Sequence, residues 1–409
     1  MTKIRTDEVE FVKELYPRLR EDDSAIERYR AALDRLPPIV VARGRILVDG
    51  FHRWQAYRRE GVEQIPAEDL GNLSDVEILK ESVRRNASHG RQLETRDKRR
   101  MADMLWRQGT RDEAELCDLL SITPKTCAEY LRDAKRDEKE AQKAKAWDRW
   151  LDCLTYRQIA GEFGDGGPDE DTVGRWVSAK SKQLENADAP ESRQHFDVWS
   201  FHNATDDAGT GSYFGRMPPQ VVENLLWLYT EPGQIVVDLF AGGGTTIDVA
   251  KRMGRRVWAS DLNPSTPTLP IHQHDATTGW PNRAPRKADL VLLDPPYWQQ
   301  AKGRYSDDPA DLGNKTLEDF YADWDIVVKA CADHTKRIAY IISPTQLDDG
   351  TVVDHATDML APFRDLGWRV ERRIIVTYQT QQATGQQVEW ARANRRLLKL
   401  YRDLVVMHR

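Results

Sequence analysis

Six short apolar runs recur from residue 235 onward, and they restrict the fold more than any other feature of the chain. They are IVVDLF (235–240), RRVWASD (255–261), ADLVLLD (288–294), RIAYIIS (337–343), RRIIVTY (372–378) and RDLVVMH (402–408). Runs this short and this apolar read as strands buried on both faces. Helical stretches separate them, and strands that alternate with helices assemble into a largely parallel sheet covered on both sides. The expected class of this part is therefore α/β.

At 409 residues the chain is too long for one ordinary domain. Composition separates residues 1–86, 87–190 and 191–409, the second stretch being almost wholly helical in pattern. Against 66 acidic residues stand 60 basic ones, a net charge of -6, so nucleic-acid contact has to come from local patches. Cys117, Cys127, Cys153 and Cys331 form no Cys-x-x-Cys pair, which excludes a zinc ribbon or a disulfide framework, and no metal is expected. The N-terminal stretch carries acidic residues and no apolar core, and no run approaches a membrane span, so a cytoplasmic protein without a membrane partner is expected.

In the third stretch, the first strand runs through Asp238, Phe240, Ala241, Gly242, Gly243 and Gly244 into a helix opened by Thr245. Glycines let the backbone approach a ligand, and a helix start offers unpaired N–H groups. The next strand ends at Asp261, where a ribose-binding carboxylate belongs, and Asp275 follows as a candidate for an adenine amine. Neither the dinucleotide glycine spacing nor a P-loop lysine is present. The combination points to a ligand with ribose and adenine but no phosphates, and S-adenosylmethionine is the expected cofactor. Ahead of this loop, residues 213–220 lead into a helix started by Pro218 and Pro219, and Met217 is placed over the methionine end of the cofactor.

The run 288–294 ends in Asp294-Pro295-Pro296-Tyr297. An exocyclic amine on a ring is a poor nucleophile because its lone pair is delocalised. The Asp294 carboxylate and the Pro295 carbonyl supply two acceptors for its hydrogens, the two prolines fix the turn, and Tyr297 offers a face for a flipped base. Residues from about 195 to 409 resemble the amino-methyltransferase family of DNA methylases, which act on adenine N6 or cytosine N4. That resemblance implies a Rossmann-like S-adenosylmethionine methyltransferase domain, with the glycine loop on the cofactor and Asp294, Pro295, Pro296 and Tyr297 catalytic. Adenine is preferred because family members with Asp in this motif are more often adenine enzymes. No cysteine follows a proline, so cytosine-C5 chemistry is disfavoured. Little room remains for an inserted recognition domain, although the polar loop Gln379–Gln387 is a candidate DNA contact.

Nearer the N-terminus, Ile39–Val41 and Ile46–Val48 read as strands around Arg43-Gly44, followed by a helix over His52–Glu60. The segment Val48–Ala56 resembles the signature of the ParB/sulfiredoxin fold, implying an α+β domain with Gly50, His52 and Arg53 as candidate nucleotide-binding residues. Two helix-turn-helix candidates follow. The first spans Ala114–Leu131, with Lys125, Thr126 and Arg132 facing DNA; the second spans residues 154–177 and carries Arg175.

The expected assembly is a ParB/sulfiredoxin-like domain (1–86), a helix-turn-helix region with linker (87–190) and the methyltransferase domain (191–409). Its partner would be double-stranded DNA, with a homodimer left open, in a bacterial or phage-encoded prophage or restriction-modification setting. A methylase acting on RNA, and a ParB-like DNA-binding regulator with an inactive methylase domain, stand as alternatives.

Overall fold

The computed structural model describes residues 2–17, 22–88, 93–184, 189–201, 208–210, 216–264, 267–299, 308–347, 349–377 and 384–409, with the backbone alone at 87 and 88. It divides into two compact units, 1–142 and 143–409.

The first unit begins with β1 (Thr2–Arg5), α1 (Asp23–Arg30), β2 (Ile39–Ala42), β3 (Ile46–Asp49), α2 (Phe51–Arg59) and β4 (Gln64–Asp69). Strands β2 and β3 form an antiparallel hairpin as expected. Of its three turn residues, Arg43 (φ 53°) and Gly44 (φ 74°) are left-handed, and the third, Arg45, closes the turn with its N–H on the Ala42 carbonyl at 3.1 Å. The four strands form one sheet in the order β1-β4-β2-β3. Sequence reading missed β1 and β4: β4 carries Pro66 mid-strand, and β1 is four polar-rich residues with little burial. Helices α3 (Asp75–Ser88), α4 (Thr95–Arg107), α5 (Glu113–Leu120) and α6 (Pro124–Leu151) follow. Leu79, Met101, Leu105, Leu116, Leu120 and Leu131 bury a shared core between them. The first helix-turn-helix candidate is thus two helices joined at Ser121, which takes the left-handed conformation at the end of α5.

The unit boundary falls inside α6, away from the composition shifts near 86 and 190. The reason lies in what the last turns of α6 bury. Trp150, Leu151 and Ala146 form a core with α7 (Tyr156–Gly161) and α8 (Glu170–Leu184) through Ile159, Val173 and Val177. The Trp150 ring also lies 5.2 Å from the Arg256 guanidinium, and Lys251 pairs with Asp152 at 2.7 Å. The second helical hairpin therefore belongs to the 143–409 unit.

That unit continues with β5 (Val198–Trp199), α9 (Pro219–Tyr229), β6 (Ile235–Asp238), α10 (Thr245–Arg252), β7 (Arg256–Asp261), β8 (Ile271–Gln273), β9 (Leu290–Leu293), α11 (Leu317–Ala332), β10 (Arg337–Ile342), β11 (Thr345–Gln346), β12 (Val352–Val353), α12 (His355–Asp358), α13 (Ala361–Asp365), β13 (Arg369–Thr377), α14 (Gly385–Ala393) and β14 (Tyr401–His408). Eight strands form one sheet in the order β5-β13-β14-β10-β9-β6-β7-β8. Strands β8, β7, β6, β9 and β10 run parallel, while β14 is antiparallel to both its neighbours. Alternate residues enter opposite faces: Val237, Val291 and Tyr340 pack with α11, and Val236, Leu290 and Ile341 pack with α9 and α10. This is the Rossmann-like, doubly wound sheet that the alternating runs imply. The polar loop expected at Gln379–Gln387 is only partly a loop: residues 379–383 lie outside the described set, and Gly385 onward is helical, started by a Thr384–Gln387 capping box. Among the described residues, no helix is long and apolar enough to cross a membrane.

Trp150→Ala is expected to cost about 3 kcal/mol, the usual loss for a buried tryptophan. Equilibrium denaturation should show the 143–409 unit unfolding at lower denaturant, with residues 1–142 unchanged.

Candidate active site

The chain leaves β6 to build β7 and β8 on one side, then returns to build β9 and β10 on the other. Such a reversal opens a crevice at the carboxyl ends of the central strands, where ligands of open parallel sheets bind. In this protein those ends carry acids: Asp238 closes β6, Asp261 closes β7, Asp294 follows β9 and Asp275 lies just beyond β8. All four line one cleft enclosing about 1110 Å³ of empty space, open mouth included.

The glycine loop forms its floor. Gly242 and Gly244 have φ of 49° and 85°, and the Gly244 N–H closes a turn onto the Ala241 carbonyl at 2.8 Å. A Cβ on Gly244 would sit 2.3 Å from the Leu269 side chain. Phe240, Ala241, Gly242, Gly243 and Thr245 reach the cleft, as does the buried Met217; Gly244 shapes the turn without lining it. Of the segment expected to cover this end, residues 213–215 lie outside the described set.

The carboxylates are held in unequal ways. Asp261 accepts the Gly242 N–H through one oxygen (2.8 Å) and the Asn263 N–H through the other (2.9 Å), so it fixes the loop as well as facing the cleft. Burial nonetheless raises its carboxyl above the ordinary range. Asp275 accepts from the Thr277 N–H and hydroxyl at 2.9 and 2.7 Å. Asp238 is buried and accepts the Phe240 N–H at 2.9 Å. Loss of hydration pushes its carboxyl up to about 7, Thr246 and Phe240 pull it down, and the charges of Asp294 and Asp261 push it further up.

Asp294 is the least satisfied of them. Its Oδ1 is buried without a hydrogen-bond partner among the described residues. Burial raises its carboxyl to about 6, against the pull of the Arg402 charge and the Tyr297 hydroxyl. A buried acceptor left unmade costs about 1–3 kcal/mol, so this atom favours a donor entering the cleft. Pro295, Pro296 and Tyr297 complete that wall.

Two residues here were not found from sequence. Asp311 lines the cleft, is buried, accepts the Gly313 N–H at 2.9 Å, and has its carboxyl raised by burial. It follows a stretch with no strand or glycine pattern to flag it. Arg402, on β14, brings Nη1 to 3.5 Å from the Tyr297 hydroxyl. It sits among apolar strand residues 105 positions away, and only the sheet order brings it to β9's loop.

The remaining candidates lie elsewhere. Lys125 and Arg132 are exposed on α6, while Thr126 joins its start through Thr123 (Oγ1 to Oγ1, 2.9 Å). Arg175 is exposed on α8 and donates to Thr172 at 2.9 Å. In the first unit, Gly50 (φ 96°) opens α2, and the Arg53 guanidinium turns inward to Asp49 (2.7 Å) and the Pro37 and Pro38 carbonyls (2.9 and 2.6 Å). His52 Nε2 accepts the Asp22 N–H at 3.1 Å.

Gly244→Ala forces a left-handed alanine, a cost of about 1–2 kcal/mol, in addition to the Leu269 contact. The expected result is weaker nucleoside-ligand binding by calorimetry, with the fold retained by circular dichroism.

Comparison with known proteins agrees with this geometry. The model of a DNA methylase family, N6_N4_Mtase, matches residues 130–266, which take in α7, α8, the glycine loop and Asp261. A type II methyltransferase, M.XycI, from Xanthomonas campestris pv. cyanopsidis is 32% identical over 94 residues, 23% of this chain and 29% of that protein. The chain therefore spans less than a third of the curated relative it matches. Among solved structures, TrmN from Thermus thermophilus is similar at 16% identity and a TM-score of 0.32, over 48% of this chain and 50% of that one. A truncated chromosome-partitioning protein ParB from Caulobacter crescentus, bound to the parS site, is similar at 16% identity and a TM-score of 0.26, over 44% of this chain and all of that one. Residues 130–266 thus carry the pattern of a DNA methylase family, and the same sheet continues from them to the Asp294–Tyr297 wall.

Proposed function

We propose that this chain is a DNA methyltransferase that moves a methyl group from S-adenosylmethionine to the exocyclic amine of a base, adenine N6 being the favoured target. The observation that carries the reading is Asp294: a carboxylate with a buried, unmade acceptor, set beside Pro295 and Tyr297 at the switch point of the sheet. A ring amine brings two N–H donors. One goes to Asp294, the other to the Pro295 carbonyl, and the nitrogen lone pair is released from the ring toward the cofactor side of the cleft. Tyr297 supplies the stacking face for a base taken out of the duplex.

The cofactor assignment rests on charge. Asp238, Asp261, Asp275, Asp294 and Asp311 line the cleft, with Arg216 the cleft's own cation. A phosphate-bearing nucleotide is repelled by such a lining, whereas a sulfonium with an α-ammonium group is attracted. S-Adenosylmethionine supplies an activated methyl on a positively charged sulfur. Asp238, Phe240, Ala241, Gly242, Gly243, Thr245 and Met217 would hold its methionine end, Asp261 its ribose and Asp275 its adenine. Lys125, Thr126 and Arg132 on the first unit, and Arg175 on α8, are read as contacts that find the duplex.

Labelled S-adenosylmethionine and unmethylated duplex, with nucleosides identified by mass spectrometry, test the reading. N6-methyladenine from the wild type is expected, with the rate of Asp294→Ala reduced by at least about 10²-fold. N4-methylcytosine would keep the mechanism and change the base. Label in RNA alone would overturn the substrate.

Protonation strips Asp294 of the charge that makes it a strong acceptor for the amine N–H. Since its carboxyl sits near 6, transfer is expected to fall as pH drops through about 6, above the ordinary aspartate range. The limb in kcat/KM reports the free enzyme; that in kcat should lie lower, because a bound cation favours the charged form. Arg402→Met removes a charge that lowers the Asp294 carboxyl, so the limb in kcat/KM should move to higher pH.

A further inference from the structure

The stretch from α14 into β14 differs from the rest of its unit in both charge and packing. Residues 390–402 hold five cations (Arg392, Arg395, Arg396, Lys399 and Arg402) and no acid, in a chain whose net charge is -6. Helix α14 has nine residues, of which only Ala391 is buried. A helix this short is not stable on its own propensity, and this one buries almost nothing. Its one large apolar side chain, Trp390, is 55% exposed, and Leu397 beyond it is 88% exposed. Two of the outer charges have exposed or backbone partners only. Arg392 pairs with Glu389 at 2.8 Å, both side chains exposed, and Arg396 donates to the Asp349 carbonyl at 2.9 Å. Arg395 has no ion pair among the described residues and is left-handed at φ 53°, where the chain turns out of α14.

Position gives these features a meaning. Lys399 Nζ donates to the Pro344 carbonyl at 2.8 Å, and the next residue, Thr345, donates to the Trp298 carbonyl at 3.2 Å. Arg402 reaches the Tyr297 hydroxyl. The basic stretch therefore meets the Asp294–Trp298 wall through Arg402, and Lys399 holds the segment whose Thr345 bonds Trp298. The cleft itself is lined by five aspartates, a field that repels a phosphate backbone within about a Debye length of 8–10 Å. A target nucleotide enters that field only if its phosphates are held at the rim by cations.

We propose that Gly385–Lys399 is a duplex-DNA grip at the mouth of the cleft, with Arg392, Arg395 and Arg396 on phosphates and Trp390 stacking against a base beside the extruded one. This rests on the methyl-transfer reading for its target nucleotide, though not for the binding itself. Aromatic faces interleaved with cations are the chemistry that single bases and phosphates recognise.

The test uses the full chain and a fluorescent 30-mer duplex, with affinity measured across a salt series. The double variant Arg392→Gln/Arg395→Gln touches two exposed side chains outside the catalytic machinery. It should weaken binding and reduce the slope of log Kd against log salt by about 2, as expected for two lost phosphate contacts. S-Adenosylmethionine binding, measured separately by calorimetry, should not change. Trp390→Ala should keep the slope and raise the KM for DNA about tenfold, the loss of one stacking contact. A wild type that methylates DNA while both variants keep its slope and KM overturns the grip and leaves the activity standing. A wild type without methyl transfer, whose Arg392→Gln/Arg395→Gln variant still loses slope, keeps the grip and removes the activity. Binding that moves to an RNA hairpin of equal length, with none to the duplex, overturns the partner.

Discussion

The loss of hydration at a row of carboxylates is the constraint around which the second unit is arranged. Four neighbouring parallel strands, β8, β7, β6 and β9, each lead into an aspartate at the same end of the sheet. Parallel strands put their carboxyl ends side by side, so the acids cannot be spread apart without changing the fold. Burial then raises Asp238, Asp261 and Asp294 together, and at Asp238 the charges of Asp294 and Asp261 add to it. The folded protein bears this cost because the loops need it: Asp261 pins Gly242, and Asp238 pins Phe240. A cofactor whose reacting atom is positively charged, as in the methyl transfer proposed above, would offset that cost in the same field.

An acidic well also sets the electrostatics of everything that approaches it. Nucleic acid is a polyanion, and the chain as a whole is acidic, so attraction has to be local. The sheet solves this through its antiparallel strand. Strand β14 enters between β10 and β13 and so places Arg402 against Tyr297, with Lys399 just ahead of it on the Pro344 carbonyl. Negative floor and positive rim are thus a few residues apart in space while more than a hundred apart in sequence.

The strands of this unit were legible because burial on both faces imposes a composition that nothing exposed shares. Asp238, Asp261 and Asp294 were legible for the same reason, standing where an apolar run stops. What was not legible is informative. Pro66 in β4 and the short polar β1 break the rule that strands are apolar, and the pairing that holds them is long-range. Asp311 and Arg402 reach the cleft through topology, which local pattern does not encode. The unit boundary was misplaced by composition because α6 is uniformly charged along its outer face, whereas Trp150 and Leu151 at its end pack with α7 and α8.

The N-terminal box shows how a motif and its physical use can separate. Gly50 and Arg53 stand in the expected order, with Gly50 left-handed at the start of α2. A free guanidinium there would offer a phosphate two parallel donors. Instead, Arg53 is mostly buried and spends its donors on Asp49, Pro37 and Pro38, closing the strand-to-helix turn from inside. A Cβ at position 50 would come within 2.9 Å of that guanidinium, so the glycine serves the arginine. For a nucleotide to recruit Arg53, three hydrogen bonds, one of them the Asp49 ion pair, would have to break, at a cost of several kcal/mol. The geometry favours a scaffold that fixes the entry into α2 over a nucleotide-operated switch.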